Sequence, residues 1–171
     1  MKTQRHTLRA LALLLGYPDA KARALMPQLA DAIDAEAALS PARRKELRAL
    51  ARALVSVDPI EAETQFVELF DRGRSTSLHL FEHVHGDSRE RGPAMIDLVQ
   101  TYEKSGLLLG PHEAPDHLCV LLEFASTQPP AVARAFLGEM AHILASIFSA
   151  LRKRESAYAS VLAAVIELAG H

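Results

Sequence analysis

The stretch FVELFDRGRSTSLHLFEHVHGDSRERGPAM, from Phe66 to Met95, decides how the rest of the chain is read. It combines two aromatic-apolar runs with a dense polar set. His79, Glu82, His83, His85, Asp87, Arg89 and Arg91 fall within thirteen positions. On a helical wheel turning about 100° per residue, Leu78, Phe81, Glu82 and His85 point one way. Leu80 and Val84 point roughly the opposite way. A helix apolar on both sides is usually buried between neighbours. The reading is therefore a central helix, stopped by Gly86-Asp87-Ser88, with Asp87 or Ser88 capping the next helix after a functional loop. The plainer alternative is a core helix whose polar groups are satisfied internally, and composition alone favours it.

Outward from this stretch the signals are helical. Thr3 to Leu15 carries Leu8, Leu11, Ala12 and Leu15 at helical spacing, and Gly16 with Tyr17-Pro18 ends it. A second helix starts near Asp19 and should kink or break at Pro27. Ser40-Pro41 and Asp58-Pro59 each combine a cap with a proline suited to the first turn. They open a third helix with Leu47, Leu50 and Leu54 inward, and a fourth over about Pro59 to Asp71 with Phe66, Leu69 and Phe70 inward. Met95, Leu98, Val99 and Tyr102 form the stripe of the helix after Pro93. Glu113-Ala-Pro115-Asp116-His117 opens a seventh helix with Leu118, Leu121, Leu122 and Ala125 inward. A long eighth helix is expected over about Pro130 to Arg154, and a last over about Ser156 to Leu168. The fold class is all-α, a single-domain helical bundle of about eight or nine helices.

Length and composition agree. The chain has 171 residues with 49% hydrophobic, enough for one substantial core. A formal net charge of −2 offers nothing to nucleic acid. The single Cys119 excludes an internal disulfide and a Cys-rich zinc site, and fits a reducing cytoplasm. The N-terminus has a basic start and a short apolar run, but its helical spacing and the lack of a small-x-small site argue against a signal peptide. No apolar run approaches the roughly 20 residues needed to span a bilayer.

Catalytic patterns fail on inspection. Glu82…His85 and Glu139…His142 resemble the paired motifs of di-iron bundles, yet Glu139 and His142 lie off the Met140-centred core stripe. His79 and His83, with His85 and Glu82, could bind a divalent metal from one helix, as a metal-dependent helical-bundle enzyme would require. The sequence locates no further ligands for it. Arg72, Arg74, Arg89 and Arg91 could hold a phosphate or carboxylate, without any P-loop pattern. Cys119 lacks a catalytic context. More unusual are Asp116 and Glu123, seven apart, which would project together from the outer face of the seventh helix. Val120 lies between them and His117 and Phe124 on a flank, an acidic-apolar wall suited to a basic amphipathic helix.

These residues also carry a family likeness. The 66–95 stretch resembles the central signature of the NarJ-type nitrate reductase assembly chaperones, within the wider TorD/DmsD family of redox-enzyme maturation proteins. Phe66-Val-Glu-Leu69-Phe70 matches its aromatic element. His79, Glu82, His85, Gly86, Asp87, Arg89 and Arg91 match its central run. Glu113-Ala-Pro115-Asp116-His117, followed by Leu122-Glu123, matches its acidic motif, and Leu14-Leu15-Gly16-Tyr17-Pro18-Asp19 its early pattern. Cys119 stands where a Pro would be common.

The resemblance implies an all-helical cytoplasmic chaperone, not an enzyme, with no cofactor of its own. Its partner would be the N-terminal peptide of the catalytic, molybdenum-containing subunit of respiratory nitrate reductase, with molybdenum cofactor delivery proteins as further candidates. Nucleic acid and stable membrane insertion are not expected. The chaperone would support insertion of the molybdenum cofactor and delay docking to the membrane subunit. The expected peptide site lies between the central and seventh helices. Leu80, Val84, Val120 and Phe124 supply apolar contact there, Asp116 and Glu123 attract basic residues, and His83 and His117 stand alongside.

Overall fold

Local capping rules account for the first half of the chain. The structure is a computed structural model and describes residues 2–86 and 88–171. Nine α-helices and no strand occur among the described residues. Helix α1 (Arg5–Leu14) buries Leu8, Leu11 and Leu14. The Asp19 carboxylate accepts from the Ala22 N–H at 2.8 Å and starts α2 (Ala20–Glu36). Ser40 caps α3 (Pro41–Ser56) by accepting from the Arg43 N–H, and Asp58 caps α4 (Pro59–Phe66) by accepting from the Ile60 N–H. Both helices carry the proline in the first turn, where its missing N–H costs nothing.

Helix α2 runs through Pro27 instead of breaking there. Pro27 lies on the exposed face, so the carbonyl left without its intrahelical partner can be hydrated. Met26, Leu29, Ala30 and Ile33 anchor the opposite face against α1 and α3. Beyond α4 the chain widens into a π-helical turn, Val67–Asp71, in which the Arg72 N–H donates to the Val67 carbonyl at 3.0 Å. The turn keeps Phe66 and Phe70 stacked at 4.9 Å, with Tyr158 edge-on to both.

The later helices are α5 (Arg91–Lys104), α6 (Leu118–Ser126), α7 (Pro130–Glu139), α8 (Ala141–Lys153) and α9 (Ala159–Leu168). Helix α6 lies against α1, and α9 lies against α8 and α3. Leu118, Leu121, Leu122, Leu144, Ile147, Leu162 and Val165 are fully buried in one continuous apolar core. The long eighth helix is a correction. It is two helices, α7 and α8, bent by 67° at Met140. The Met140 carbonyl accepts from both Ile143 and Leu144 N–H groups at 3.0 Å. The bend lets Leu137 and Leu151 both reach the core. Among the described residues no single helix is long and apolar enough to cross a membrane.

The central helix is the larger correction. Residues 77–86 hold only a three-residue 3₁₀ turn, Leu80–Glu82. The preceding residues pair across the chain: the Leu118 N–H donates to the Leu78 carbonyl at 2.9 Å, and the Leu80 N–H to the Asp116 carbonyl at 3.1 Å. These bonds form one antiparallel bridge between His79 and His117. Backbone groups committed to residues 116–118 cannot also make i to i−4 bonds. The seventh helix is corrected with it, because α6 starts only at Leu118 and leaves the Glu113–His117 motif outside.

Candidate functional site

The bridge is built from the π-helical turn upward. The Thr76 hydroxyl donates to the Leu69 carbonyl. Gly73 lies so close that a Cβ there would meet the Leu69 carbonyl oxygen at 2.5 Å. Thr76 and Ser77 are both buried, and the Ser77 hydroxyl accepts from the His79 N–H at 3.2 Å. The fully buried Tyr102 of α5 donates from its hydroxyl to the Pro115 carbonyl at 2.7 Å, holding the acidic motif from the other side.

Asp116 is the centre of this arrangement. It is 0% exposed. One carboxylate oxygen accepts from the Phe81 N–H at 3.0 Å, and the other lies 3.7 Å from His79 Nδ1. Burial works against its charge, but His79 and the Phe81 N–H outweigh burial and hold the carboxyl below its usual range. The Asp116 carboxylate in turn raises His79, against partial burial. His117 behaves oppositely: burial first, then the neighbouring His79, lowers it. Its Nδ1 accepts from the Cys119 N–H at 3.1 Å, which caps α6 and keeps that nitrogen unprotonated. The two rings meet edge to face at 5.0 Å. Burial pushes the Cys119 thiol up to about 12, so it is an inert packing group.

Two open surfaces flank the turn that Asp116 holds. One is a polar cleft of about 550 Å³, with Arg72, Arg74 and Arg91 around His79, Ser77 and Gly86. Asp71 and Glu82 also line it. The other is an apolar groove of about 700 Å³ between α5 and α7. Its floor is Phe81, Leu98, Phe124, Phe136 and Met140, and Asp97 and Glu139 stand among its polar lining. Phe124 is packed between Tyr102 and Phe136, each at 4.9 Å between ring centres.

The expected residues divide sharply. Leu80 is 0% exposed and Val120 is buried, so neither is presented to a peptide, a correction that follows from the bridge. Asp116 is corrected likewise: it belongs to the turn before α6 and shares no helical face with the exposed Glu123. Partial burial and Glu113 raise the Glu123 carboxyl, with Arg9 opposing. His83 is half-buried, and its Nε2–H donates to the Ser77 carbonyl at 2.8 Å. Val84 is half-exposed, and His117 is partly buried. Phe124 is buried yet contributes to the groove floor.

In the family run, Phe66, Leu69 and Phe70 are core residues. His85 stacks edge-on against Phe81 at 5.3 Å, Gly86 takes φ +51°, and Arg91 donates to the Gly86 carbonyl at 3.2 Å. Arg89 is exposed and does not line the cleft. Asp87 lies outside the described residues. The metal reading of His79, His83, His85 and Glu82 is a correction. Among the described residues no group of three or more His, Cys, Asp or Glu could hold an ion. Off a helix, His79 faces Asp116, His83 faces Ser77 and His85 faces Phe81.

The groove itself was missed, because its floor comes from residues far apart in sequence. A local signal existed in Val132, half-exposed on an otherwise regular helix.

Comparison with known proteins gives consistent results. A family model described as nitrate reductase delta subunit matches residues 36–164. The nitrate reductase molybdenum cofactor assembly chaperone NarJ of Escherichia coli (strain K12) is 44% identical over 156 residues, covering 91% of this chain and 66% of that protein. A protein of Bacillus subtilis (strain 168), named a probable nitrate reductase molybdenum cofactor assembly chaperone NarJ, is 33% identical over 91% of this chain and 84% of its own length. A crystal structure from Archaeoglobus fulgidus, assigned to the redox enzyme maturation proteins, superposes with a TM-score of 0.67 at 20% identity, covering 100% of this chain and 96% of that one. That likeness establishes the fold. The chain thus spans 66% of the E. coli relative's length.

Proposed function

Since the chain belongs to the nitrate reductase delta subunit family, we propose that it is a cytoplasmic maturation chaperone for a respiratory nitrate reductase. In this reading it binds the N-terminal peptide of the catalytic molybdenum subunit. It keeps that subunit open for insertion of the molybdenum cofactor and delays docking to the membrane subunit. The relatives' names support the maturation role. The observation that carries the peptide detail is the α5–α7 groove, an aromatic floor with Asp97 and Glu139 beside it.

An amphipathic helix could lay apolar residues, three and four apart, on Phe81, Phe124 and Phe136. Lys or Arg on the flanks of that helix would meet Asp97 and Glu139. The half-exposed Val132 extends the apolar area at the groove. Such a clamp needs no chemistry of its own, in keeping with a family of chaperones. Isothermal calorimetry with the first residues of the cognate catalytic subunit tests it. The expected result is saturable one-to-one binding with a negative heat-capacity change, the mark of apolar burial. Absence of saturable binding across pH 6–8 and low to moderate salt would overturn the peptide reading.

A further inference from the structure

A third surface belongs neither to the groove nor to the 77–86 turn. It is a shallow hollow of about 300 Å³ between the run that follows α1 and the outer side of α4 with its π-helical turn. Tyr17, Ile60 and Val67 are its apolar members. Ile60 is 74% exposed and Tyr17 48%. Single exposed apolar residues are ordinary, but these two share one hollow. The Tyr17 ring is held from below, edge-on to the buried Phe66 at 5.8 Å, and the following Pro18 is buried. A ring fixed in this way loses little freedom when a partner covers it.

The charge around the hollow has one sign. From Asp58 to Asp71 the chain carries Asp58, Glu61, Glu63, Glu68 and Asp71 and no lysine or arginine. Arg72 lines the hollow but pairs with Glu68 at 3.0 Å, and the Arg23 guanidinium donates to the Pro18 carbonyl at 3.0 Å. Asp71 also lines the polar cleft. Among the described residues, Glu63 and Asp19 have no lysine or arginine within ion-pair distance. The Tyr17 phenol registers the balance. Partial burial raises it first, then Glu63, Asp19 and Asp71, and no cation opposes them.

We infer that this hollow docks a basic patch on a second protein partner, one apolar side chain of which seats against Ile60 and Tyr17 while lysines around it meet Glu63 and Asp19. The same face of a second copy would bring like charges together, and an anionic membrane surface would be repelled. A basic protein surface is the occupant whose charge complements the hollow. No lining residue is shared with the α5–α7 groove, so both can be filled at once. The inference does not rest on the peptide reading.

Two-dimensional amide NMR of the whole chain, titrated with a short acetylated, amidated peptide alternating lysine and leucine, tests the docking. The expected result is saturable shifts at Tyr17, Ile60, Glu63 and Val67. Peptides alternating glutamate with leucine, or lysine with serine, should each bind there at least tenfold more weakly, because charge and apolar anchor act together. Ile60→Lys alters an exposed side chain and should weaken the lysine–leucine peptide at least tenfold. Glu63→Gln should weaken it less and reduce its salt dependence. Val132→Lys repels the same peptide from the α5–α7 groove and should leave the shifts at Tyr17 and Ile60 in place, so the two surfaces are read apart. Shifts confined to the groove residues Ala135 and Phe136 would overturn the inference. So would unchanged affinity in Ile60→Lys, or either control peptide binding as tightly as the lysine–leucine one.

Discussion

The cleft and the groove lie on two sides of one short turn, and adjacent residues of it face different surfaces. Phe81 floors the apolar groove, whereas Glu82 lines the polar cleft. The groove has aromatic rings and carboxylates, whereas the cleft sets three guanidinium groups beside the Asp71 and Glu82 carboxylates. A basic amphipathic ligand suits the first, where apolar contact and carboxylates act together, and meets guanidinium groups in the second. One turn can serve two surfaces because it is not helical: the Asp116 carboxylate and the 116–118 backbone hold it, leaving its side chains free to diverge.

The most damaging way to break this contrast is to remove its support. Asp116→Ala strips the Phe81 N–H of its buried acceptor and His79 of its counter-charge. Urea denaturation should show a loss of about 2–4 kcal/mol, the cost of a charge-assisted hydrogen bond and an unsatisfied donor. A loss below about 0.5 kcal/mol would mean the turn is held by its backbone bonds alone. On the outer face of a seventh helix Asp116 would attract basic residues of a peptide; its burial in the turn overturns that.

A sharper separation comes from Val132→Glu. The side chain is half-exposed at the groove, so folding should be little affected. Peptide affinity should fall tenfold or more, about 1.4 kcal/mol, because a charge must be desolvated against apolar anchors. The melting temperature of the same variant should stay at the wild-type level, and a loss of peptide affinity matched by a loss of stability would show that the change acts through the fold instead of the groove.

Charge neutralisation beside the groove is a smaller change. Asp97→Asn with Glu139→Gln should weaken peptide binding by less than about 1 kcal/mol, since both carboxylates remain solvated. The difference from wild type should shrink as salt rises, which titrations at two ionic strengths would measure. A deficit independent of salt would indicate lost packing in place of lost attraction.

The smallest expected effect is in pH dependence. His79 is raised in the fold, so its contribution is complete below about pH 6.5 and is lost as pH rises through its folded value. His117 is lowered, so its contribution is present above about pH 6.5 and is lost as pH falls through its folded value. The slopes oppose each other in the wild type. In His79→Gln only the His117 slope remains, and stability should climb more steeply between about pH 5.5 and 7.5. The His79 side chain is 40% exposed, so solvent screening keeps the change below about 1 kcal/mol. A shallower climb than in the wild type would reverse the assignment of the two rings.

The amino-acid sequence by itself determined the helices that carry their own signals. Ser40 and Asp58 cap where their Pro-flanked spacing says they should, and the Leu47–Leu50–Leu54 and Leu8–Leu11 stripes are buried. Helix formation joins residues four apart, so a short window contains its causes. The family signature was legible too, although the site it contributes to was not. In Leu78-His79-Leu80, both leucines are buried and the histidine is half-exposed, an alternation that suits an extended pairing as well as a helix. Only the tertiary structure decided between them, because the partners that capture its backbone stand at Asp116 and Leu118, far beyond any helical window. The bend at Met140 has the same origin. Residues 130–153 are helical throughout by local preference, and the need to bring Leu137 and Leu151 to one core sets the break. The groove and the cleft exist only because of those two long-range outcomes.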